Sequence, residues 1–365
     1  MKGIDFSKIF LKDACPTSIG GQALIEGVMM RGPDRTAAAL RAPDGRLYLK
    51  TIKNRKAGKI SKLPLIRGVV SFFGSLVSGM KILTFSADAQ EALGADSPGE
   101  EEPEEETWLE KKIGKEKAWD AAVLLSVVIA VIFTLVGFVL LPTALVGFLR
   151  RFIGSHIVLN LLEGVLRLAL FLGYIGVISK MEDIQRVFEY HGAEHKTIHC
   201  FENGLDLTPE NARNFYRLHP RCGTSFLMFV MVVSLLVFSL LGWPNLLVRV
   251  LSRVLLMPVV AGLSYELLRW AGRSDNKFVV ALSIPGLLLQ KMTTREPDVS
   301  ELETAICAMK AVLVPEDAPL VEGYCDKNGN IVEEWRIDFN EHESEGASRA
   351  GREAASEMRN SGCGE

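Results

Sequence analysis

The stretch AAVLLSVVIAVIFTLVGFVLLPTALVGFL, residues 121–149, decides the class of fold. It contains 29 residues without a charged side chain, whereas a helix needs about 20 apolar residues to cross the hydrocarbon core of a bilayer. The sequence therefore predicts a membrane-spanning helix here and a lipid bilayer around the protein. Hydrophobic residues make up 48% of the chain, and much of this apolar character lies in a few such runs.

Three further segments on the C-terminal side extend this pattern. Residues 222–248 are a second uncharged run, of 27 residues. Residues 157–179 and 246–268 are also apolar but contain charged side chains, which are costly inside a membrane unless they are paired. Glu163 and Arg167 stand four residues apart, so we expect them to pair with each other on a helix.

Lysine and arginine in the short loops predict the orientation of the spans. They are concentrated before the first span and between the second and third, while the turn between the third and fourth has none and Arg150–Arg151 are the exception. Both termini are therefore expected in the cytoplasm. The net charge is only −3 and no basic stripe with interleaved aromatic residues is present, which argues against a nucleic-acid partner.

Turn signals predict two small β structures outside the membrane. Ala-Pro-Asp-Gly at 42–45 separates two β-like runs, because proline presets one dihedral angle and glycine accepts a positive one. Asn328-Gly329 is expected to form the turn of a C-terminal hairpin. The predicted fold class is therefore a mainly α-helical membrane protein with about four transmembrane helices, a small N-terminal β-rich cytosolic region and a C-terminal hairpin.

The segment from Leu65 to Ser86 is apolar but carries Arg67 and Lys81, which leave no full apolar crossing between them. A packed or interfacial helix is therefore favoured over a further span. The predicted organisation comprises an N-terminal tail (1–16), a β-rich region (17–60), an amphipathic or packed helix (61–90), an acidic disordered linker (91–118), a transmembrane core (119–292) with a cytosolic histidine-rich loop (180–222), a C-terminal cytosolic segment (293–340) and a disordered tail (341–365).

The histidine-rich loop contains HGAEHKTIHC, residues 191–200. Four residues of α-helix rise about 6 Å, so His191 and His195 lie one above the other and can both reach one ion. His199 stands about 12 Å along the axis from His191, too far for a straight helix to bring all three to a single zinc ion. We expect His199 to support the site or to bind another ion.

Residues 191–195 also match H-x-x-E-H, a zinc-hydrolase pattern in which the glutamate is the general base. The sequence therefore predicts a divalent metal, with zinc expected, held by His191 and His195, with Glu194 as catalytic base. His219 or Cys222 is the candidate third ligand, since neutral imidazole and thiolate both suit zinc. The alternative is a purely structural role, in which these polar groups only cap helices and form hydrogen bonds at the end of the helical bundle.

Other polar side chains allow weaker alternatives. Cys200 or Cys222 could be a nucleophile activated by a histidine, although the sequence context of a catalytic cysteine is missing. Glu26 and Glu266 could each add a carboxylate ligand or base. Pairing with a nearby arginine would explain Glu266 equally well. Glu26 would equally well be a solvent-exposed residue of a strand.

Five ordered motifs, taken together, resemble the bacterial YqhQ-like membrane proteins. They are GGQALIEGVMMRGP, EYHGAEHKTIHCFENG, LTPENAR, HPRCGTSF and TTREP. That family is a domain of unknown function described as predicted metal-dependent enzymes, so the resemblance implies a bacterial inner (plasma) membrane and a metal site. The leading hypothesis is a zinc-dependent membrane hydrolase. The alternative is a non-catalytic scaffold or transport accessory with a structural metal site.

Overall fold

The computed structural model describes residues 15, 17–54, 63, 66–95, 115–242, 245–271, 277–326 and 329–334. The predicted disordered tail and most of the predicted N-terminal tail and acidic linker lie outside these residues. The described helices are α1 (Ile66–Ala95), α2 (Lys115–Leu135), α3 (Leu141–Leu149), α4 (His156–Ile178), α5 (Glu182–Glu202), α6 (Pro209–Arg213), α7 (Gly223–Ser239), α8 (Leu246–Ala271), α9 (Lys277–Thr293) and α10 (Val299–Val312). One π-helical turn, Val136–Leu140, joins α2 to α3.

The described residues include six antiparallel strands that form one sheet in chain order: β1 (Gly20–Leu24), β2 (Gly27–Arg31), β3 (Arg35–Arg41), β4 (Leu47–Lys53), β5 (Glu322–Cys325) and β6 (Ile331–Glu334). The sequence predicts an N-terminal β-rich region and a separate C-terminal hairpin. The structure instead joins them, because β4 pairs with β5 through Leu47 opposite Cys325 and Tyr48 opposite Tyr324. Asn328 of the predicted turn lies outside the described residues.

Both faces of this sheet pack against helices. Successive side chains along a strand point to opposite faces, so alternate residues belong to two different cores. Residues such as Val28 and Ala39 face α5 and α10, where they form one core with Tyr190 and Leu302. The residues that alternate with them pack against the second half of α1. This second core contains Leu24, Met29, Ala38, Leu40 and Tyr48 from the sheet, with Ile82, Ala89 and Leu93 from α1.

Among the described residues, four helical segments are long and apolar enough to cross a membrane: Ile66–Gly94, Leu125–Leu149, His156–Ile178 and Leu251–Trp270. The protein is therefore a mainly helical membrane protein, as predicted, but the four segments are not the predicted four. By length and composition α1 is included, whereas α7, predicted as the third span, has only 17 residues. About 20 are needed for a full crossing.

Several charged side chains within the bundle are paired. The predicted ion pair of Glu163 with Arg167 is present, with 2.9 Å between the charged atoms. Arg253 of α8 also binds both carboxylate oxygens of Glu163. Only 1% of the Glu163 side chain is exposed. Such pairing is what makes a carboxylate tolerable among apolar helices. Glu266 of α8 pairs with Arg67 at the start of α1.

Candidate metal centre

Helix α5 carries the histidine segment between the sheet and the helical bundle. All its residues from Tyr190 to Cys200 are buried, although this stretch is rich in polar side chains. Buried polar groups need partners, and the loops around α5 provide them. α5 ends where Gly204 takes a positive φ of 69°, because glycine adopts the left-handed conformation that ends a helix without steric cost.

Two backbone carbonyl groups fix the orientation of the first two imidazoles. His191 Nδ1 lies 2.8 Å from the carbonyl oxygen of Thr293, and His195 Nδ1 lies 2.6 Å from that of Arg217. A carbonyl oxygen only accepts hydrogen bonds, so each Nδ1 carries a proton and donates it. In the neutral rings the lone pair therefore lies on Nε2, which is how metal-binding histidines are commonly oriented.

Cys222 completes a group of three possible metal ligands with His191 and His195. One ligand atom from each lies within 4.8 Å of the other two, and His191 Nε2 is 3.2 Å from Cys222 Sγ. His195 Nε2 is buried and has no hydrogen-bond partner in the described part of the chain. A buried lone pair without a partner is costly, so this atom is an observation in favour of a bound cation. Two imidazoles and a thiolate are a donor set that suits zinc.

The electrostatics of this group favour an ionised cysteine. Burial raises the pKa of Cys222, but His195 and His191 outweigh it and bring that pKa well below its ordinary value. Burial lowers the pKa of His191, but the Cys222 sulfur outweighs this effect and raises it to about 9. These shifts favour a protonated His191 beside an ionised Cys222. A metal would replace the imidazolium proton, because metal ligands must be deprotonated.

Glu194 lies beside this group and faces β1. It is 4% exposed, and a cavity of about 280 Å³ is lined by Glu194, His195, Cys222 and the glycine-rich segment that leads into β1. Burial raises the pKa of Glu194, partly offset by His195 and His191. A raised carboxyl pKa suits a group that takes up and releases a proton near neutral pH.

His199 and His219 belong to a second group, with Glu202. The guanidinium of Arg221 already binds the Glu202 carboxylate, whose Oε1 also accepts hydrogen bonds of 2.8 and 3.0 Å from Thr17. Arg221 Nη2 lies 3.5 Å from His219 Nε2. A cation already occupies this neighbourhood, so the second group is better explained as a hydrogen-bonded support for the first. Of the two candidate third ligands, Cys222 groups with His191 and His195, whereas His219, whose ring lies 5.6 Å from that of His195, groups with His199 and Glu202.

The remaining candidate residues lie away from the centre. Glu26, at the turn between β1 and β2, pairs with Arg186, and Glu266 pairs with Arg67. Cys200 is buried with its Sγ near the Asp206 carbonyl oxygen, and burial raises its pKa to about 11, which makes it a poor nucleophile.

Several residues that shape the centre were not predicted. Gln290 of α9 accepts a 2.9 Å hydrogen bond from the His219 backbone nitrogen and donates to its carbonyl oxygen. Gly192 lets α5 approach residues 293–297 so closely that a Cβ would overlap the Arg295 carbonyl oxygen. The three-residue spacing of His199 and Glu202 is a helical signal that could have found Glu202. No local pattern marks Gln290 or Gly192.

All five sequence motifs meet around this centre. The glycine-rich motif and HPRCGTSF contribute walls of the cavity. The Thr293 carbonyl oxygen of TTREP orients His191. The Arg213 carbonyl oxygen of LTPENAR accepts a hydrogen bond from the Lys196 ammonium group. A family described as "Protein of unknown function (DUF1385)" matches residues 63–314. The chain belongs to the DUF1385 family.

A relative matches most of the chain as well. The chain is 36% identical over 308 residues to the "Uncharacterized protein YqhQ" of Bacillus subtilis (strain 168). The aligned region covers 83% of the chain and 94% of that relative. This confirms the predicted resemblance to the YqhQ-like proteins. No solved structure matches the chain.

Proposed function

We propose that this DUF1385 protein is a zinc-dependent membrane hydrolase whose ion is held by His191, His195 and Cys222. The observation that carries the proposal is the pair of imidazoles whose Nδ1 atoms are engaged by backbone carbonyl oxygens. Their Nε2 atoms are thereby left for a shared partner beside an ionised cysteine, and the buried His195 Nε2 has no hydrogen-bond partner among the described residues. When bound, zinc would supply a Lewis acid that polarises the bond to be cleaved.

The number of protein donors supports a catalytic site over a structural one. Within the part of the chain that the structure describes, the group contains three possible ligands. Structural zinc sites are closed by four protein ligands, whereas catalytic sites keep one position open. Glu194 stands outside the group but lines the same cavity as His195 and Cys222. In this position it would take the proton from the attacking water and deliver it to the leaving group.

The orientation follows from the basic loops. We infer that the centre faces the cytosol of a bacterial cell, with the protein in the inner membrane and both termini cytoplasmic. The lysines and arginines that surround the histidine segment support this orientation, because cytoplasmic loops carry an excess of positive residues.

Metal analysis of the purified protein tests the proposal. Detergent-solubilised wild-type protein is expected to hold about one zinc ion per chain, since three ligands and an open position define one catalytic site. The His191→Ala/His195→Ala variant should hold almost none. His156→Ala is the matched control, because His156 is exposed at the start of α4. Equal zinc in all three proteins would disprove the site.

X-ray absorption at the zinc edge separates an enzyme from a scaffold. Two nitrogen ligands, one sulfur and an exchangeable light atom are expected for the hydrolase. Four protein ligands would favour the non-catalytic alternative.

The 3.2 Å contact of His191 with Cys222 supports a second candidate, a metal-independent cysteine nucleophile. Iodoacetamide distinguishes the two candidates. Zinc should protect Cys222 from alkylation if the sulfur is a ligand, and a chelator should remove this protection. Alkylation that is equally fast with and without zinc would favour the cysteine nucleophile.

A further inference from the structure

A cavity of about 900 Å³ begins at the candidate metal centre and runs between α1 and the end of α4. One end is polar and is formed by His191, Glu194 and Cys222. Its walls are formed by small residues of α1, including Ser75, and by apolar side chains of α4, α5 and α7. These apolar side chains are Ile175, Ile178, Val187 and Leu227.

A second cavity, of about 450 Å³, continues the first along α1. The two share several lining residues, among them Ser71, Ser75 and Leu227. The second adds aromatic and aliphatic walls, including Phe72 and Phe226. Together they form one extended space that is polar at the metal centre and apolar towards the flank of the bundle.

The surroundings of this space are also apolar. Leu76 and Met80 of α1 line the second cavity and are 54% and 66% exposed, and the neighbouring α4 is one of the segments able to cross a membrane. Large exposed apolar side chains are expected where a protein faces lipid or binds an apolar ligand. A polar, water-soluble substrate would gain nothing from such walls.

We propose that this space binds the acyl chain of an ester-linked membrane lipid with an anionic head group and places the ester beside Glu194. The acyl chain matches the apolar walls, since burial of apolar surface is favourable whatever its chemical detail. Arg31, which lines the first cavity, offers a positive charge to the head group. The binding follows from the shape and lining of the cavity, whereas the chemistry rests on the proposed hydrolase function.

The reaction at that ester would be hydrolysis. The oxygen of water forms a bond to the acyl carbon, and the bond between that carbon and the alcohol oxygen breaks. The proton that Glu194 takes from the water passes to the departing alcohol oxygen. The products are a fatty acid and a lysolipid, and no oxidant or reductant is needed.

A fluorescent lipid tests the binding directly. The probe is phosphatidylglycerol with a nitrobenzoxadiazole-labelled acyl chain, titrated into the full-length protein in detergent micelles. Ser75→Trp should weaken binding by about tenfold or more, because the indole fills the space that the acyl chain requires. Val77→Trp is the matched control, since Val77 lies on the same helix, is 58% exposed and lines neither cavity. Its affinity should stay within about twofold of wild type.

Two further measurements keep the outcomes distinct. Ser75→Leu fills less of the space and replaces the tryptophan variant if that variant does not fold. Zinc content is measured in every protein, and both Ser75 variants should keep it. Lipid binding that Ser75→Trp and Ser75→Leu leave unchanged overturns the inference even if zinc is bound. Lipid binding without zinc supports the cavity but overturns the hydrolase.

Discussion

Strand β1 approaches helix α5 so closely at Gly21 that a Cβ there would lie 2.7 Å from Cγ of Glu194 and 2.7 Å from the carbonyl oxygen of Met29. The proposed base is thus held between its own helix and the backbone of the sheet. A side chain at Gly21 cannot be accommodated without moving either the carboxylate or β2. The glycine-rich motif therefore has a steric role at the centre.

Gly21→Ala is expected to destabilise the protein by about 1–3 kcal/mol, the usual cost of overpacking a close contact. Thermal unfolding in detergent measures it. Gly20→Ala is the matched control, because a Cβ at Gly20 meets nothing within 4 Å, and its stability should stay within about 0.5 kcal/mol of wild type. Equal stability of the two variants would contradict the close approach of β1 to Glu194.

Gly192→Ala is expected to lower the zinc content although Gly192 is not a ligand. Its Cβ would collide with the Arg295 carbonyl oxygen and push away the segment whose Thr293 carbonyl oxygen orients His191. Loss of such an outer partner typically costs about 10–100-fold in metal affinity. Competition with a zinc chelator measures the affinity. Gly173→Ala, where a Cβ meets nothing within 4 Å, should bind zinc as the wild type does.

The raised pKa of Glu301 should make the stability of the folded protein depend on pH, independently of the metal centre. Burial raises the pKa of Glu301 to about 7 in the folded protein, above its ordinary value of 4.5. The protonated form therefore favours folding. Its contribution to stability is fully present below about pH 4.5 and is lost as the pH rises through about 7.

Glu301→Gln should remove this loss, because the amide stays neutral and its oxygen can still accept the hydrogen bond from the Asp298 backbone nitrogen. At pH 8 the variant is expected to be more stable than wild type by an amount on the order of 2 kcal/mol, with little difference at pH 4.5. Thermal unfolding at both pH values measures this. Glu210→Gln, at an exposed position, is the control. A variant less stable than wild type at pH 8 would refute the interpretation.

Cys307 of α10 and Cys325 of β5 are expected to form a disulfide under mild oxidation. Their sulfur atoms lie 3.2 Å apart and both residues are buried, so diamide could take up the two thiol hydrogens after only a small movement. The hydrogen bond shared with Cys325 and burial raise the pKa of Cys307 well above its ordinary value, so the reaction should be faster at alkaline pH.

Peptide mapping by mass spectrometry identifies the cross-linked pair. Cys307→Ser should abolish the cross-link. A disulfide between Cys325 and any other cysteine would show that β5 does not pack against α10 as described.

The regular elements could be predicted because their signals are local. Asp298 caps α10 with a capping box, and Thr208 caps α6, each at the position that short-range hydrogen bonding favours. The helical period was enough to place His191 beside His195, whose ring centroids lie 4.5 Å apart. It was also enough to assign His199 to a different group.

The long-range contacts could not be predicted. No spacing in the sequence distinguishes Cys222 from His219 as the partner of the histidine pair, because that choice depends on where the start of α7 meets α5. The joining of β4 to β5 spans more than two thirds of the chain, and neither strand carries a signal for the other. The sequence could not predict that the backbone oxygens of Thr293 and Arg217 orient the two histidines, since every residue has a carbonyl group.

The pairing of β4 with β5 imposes a parity rule on the membrane topology. Both strands belong to one sheet, so the chain between them must cross the bilayer an even number of times. If α1, which finishes on that same sheet, adds no crossing, the other three candidate spans are an odd number. The rule then requires one more crossing, and the shorter α7, which packs against α8, is the helix beside them that would supply it.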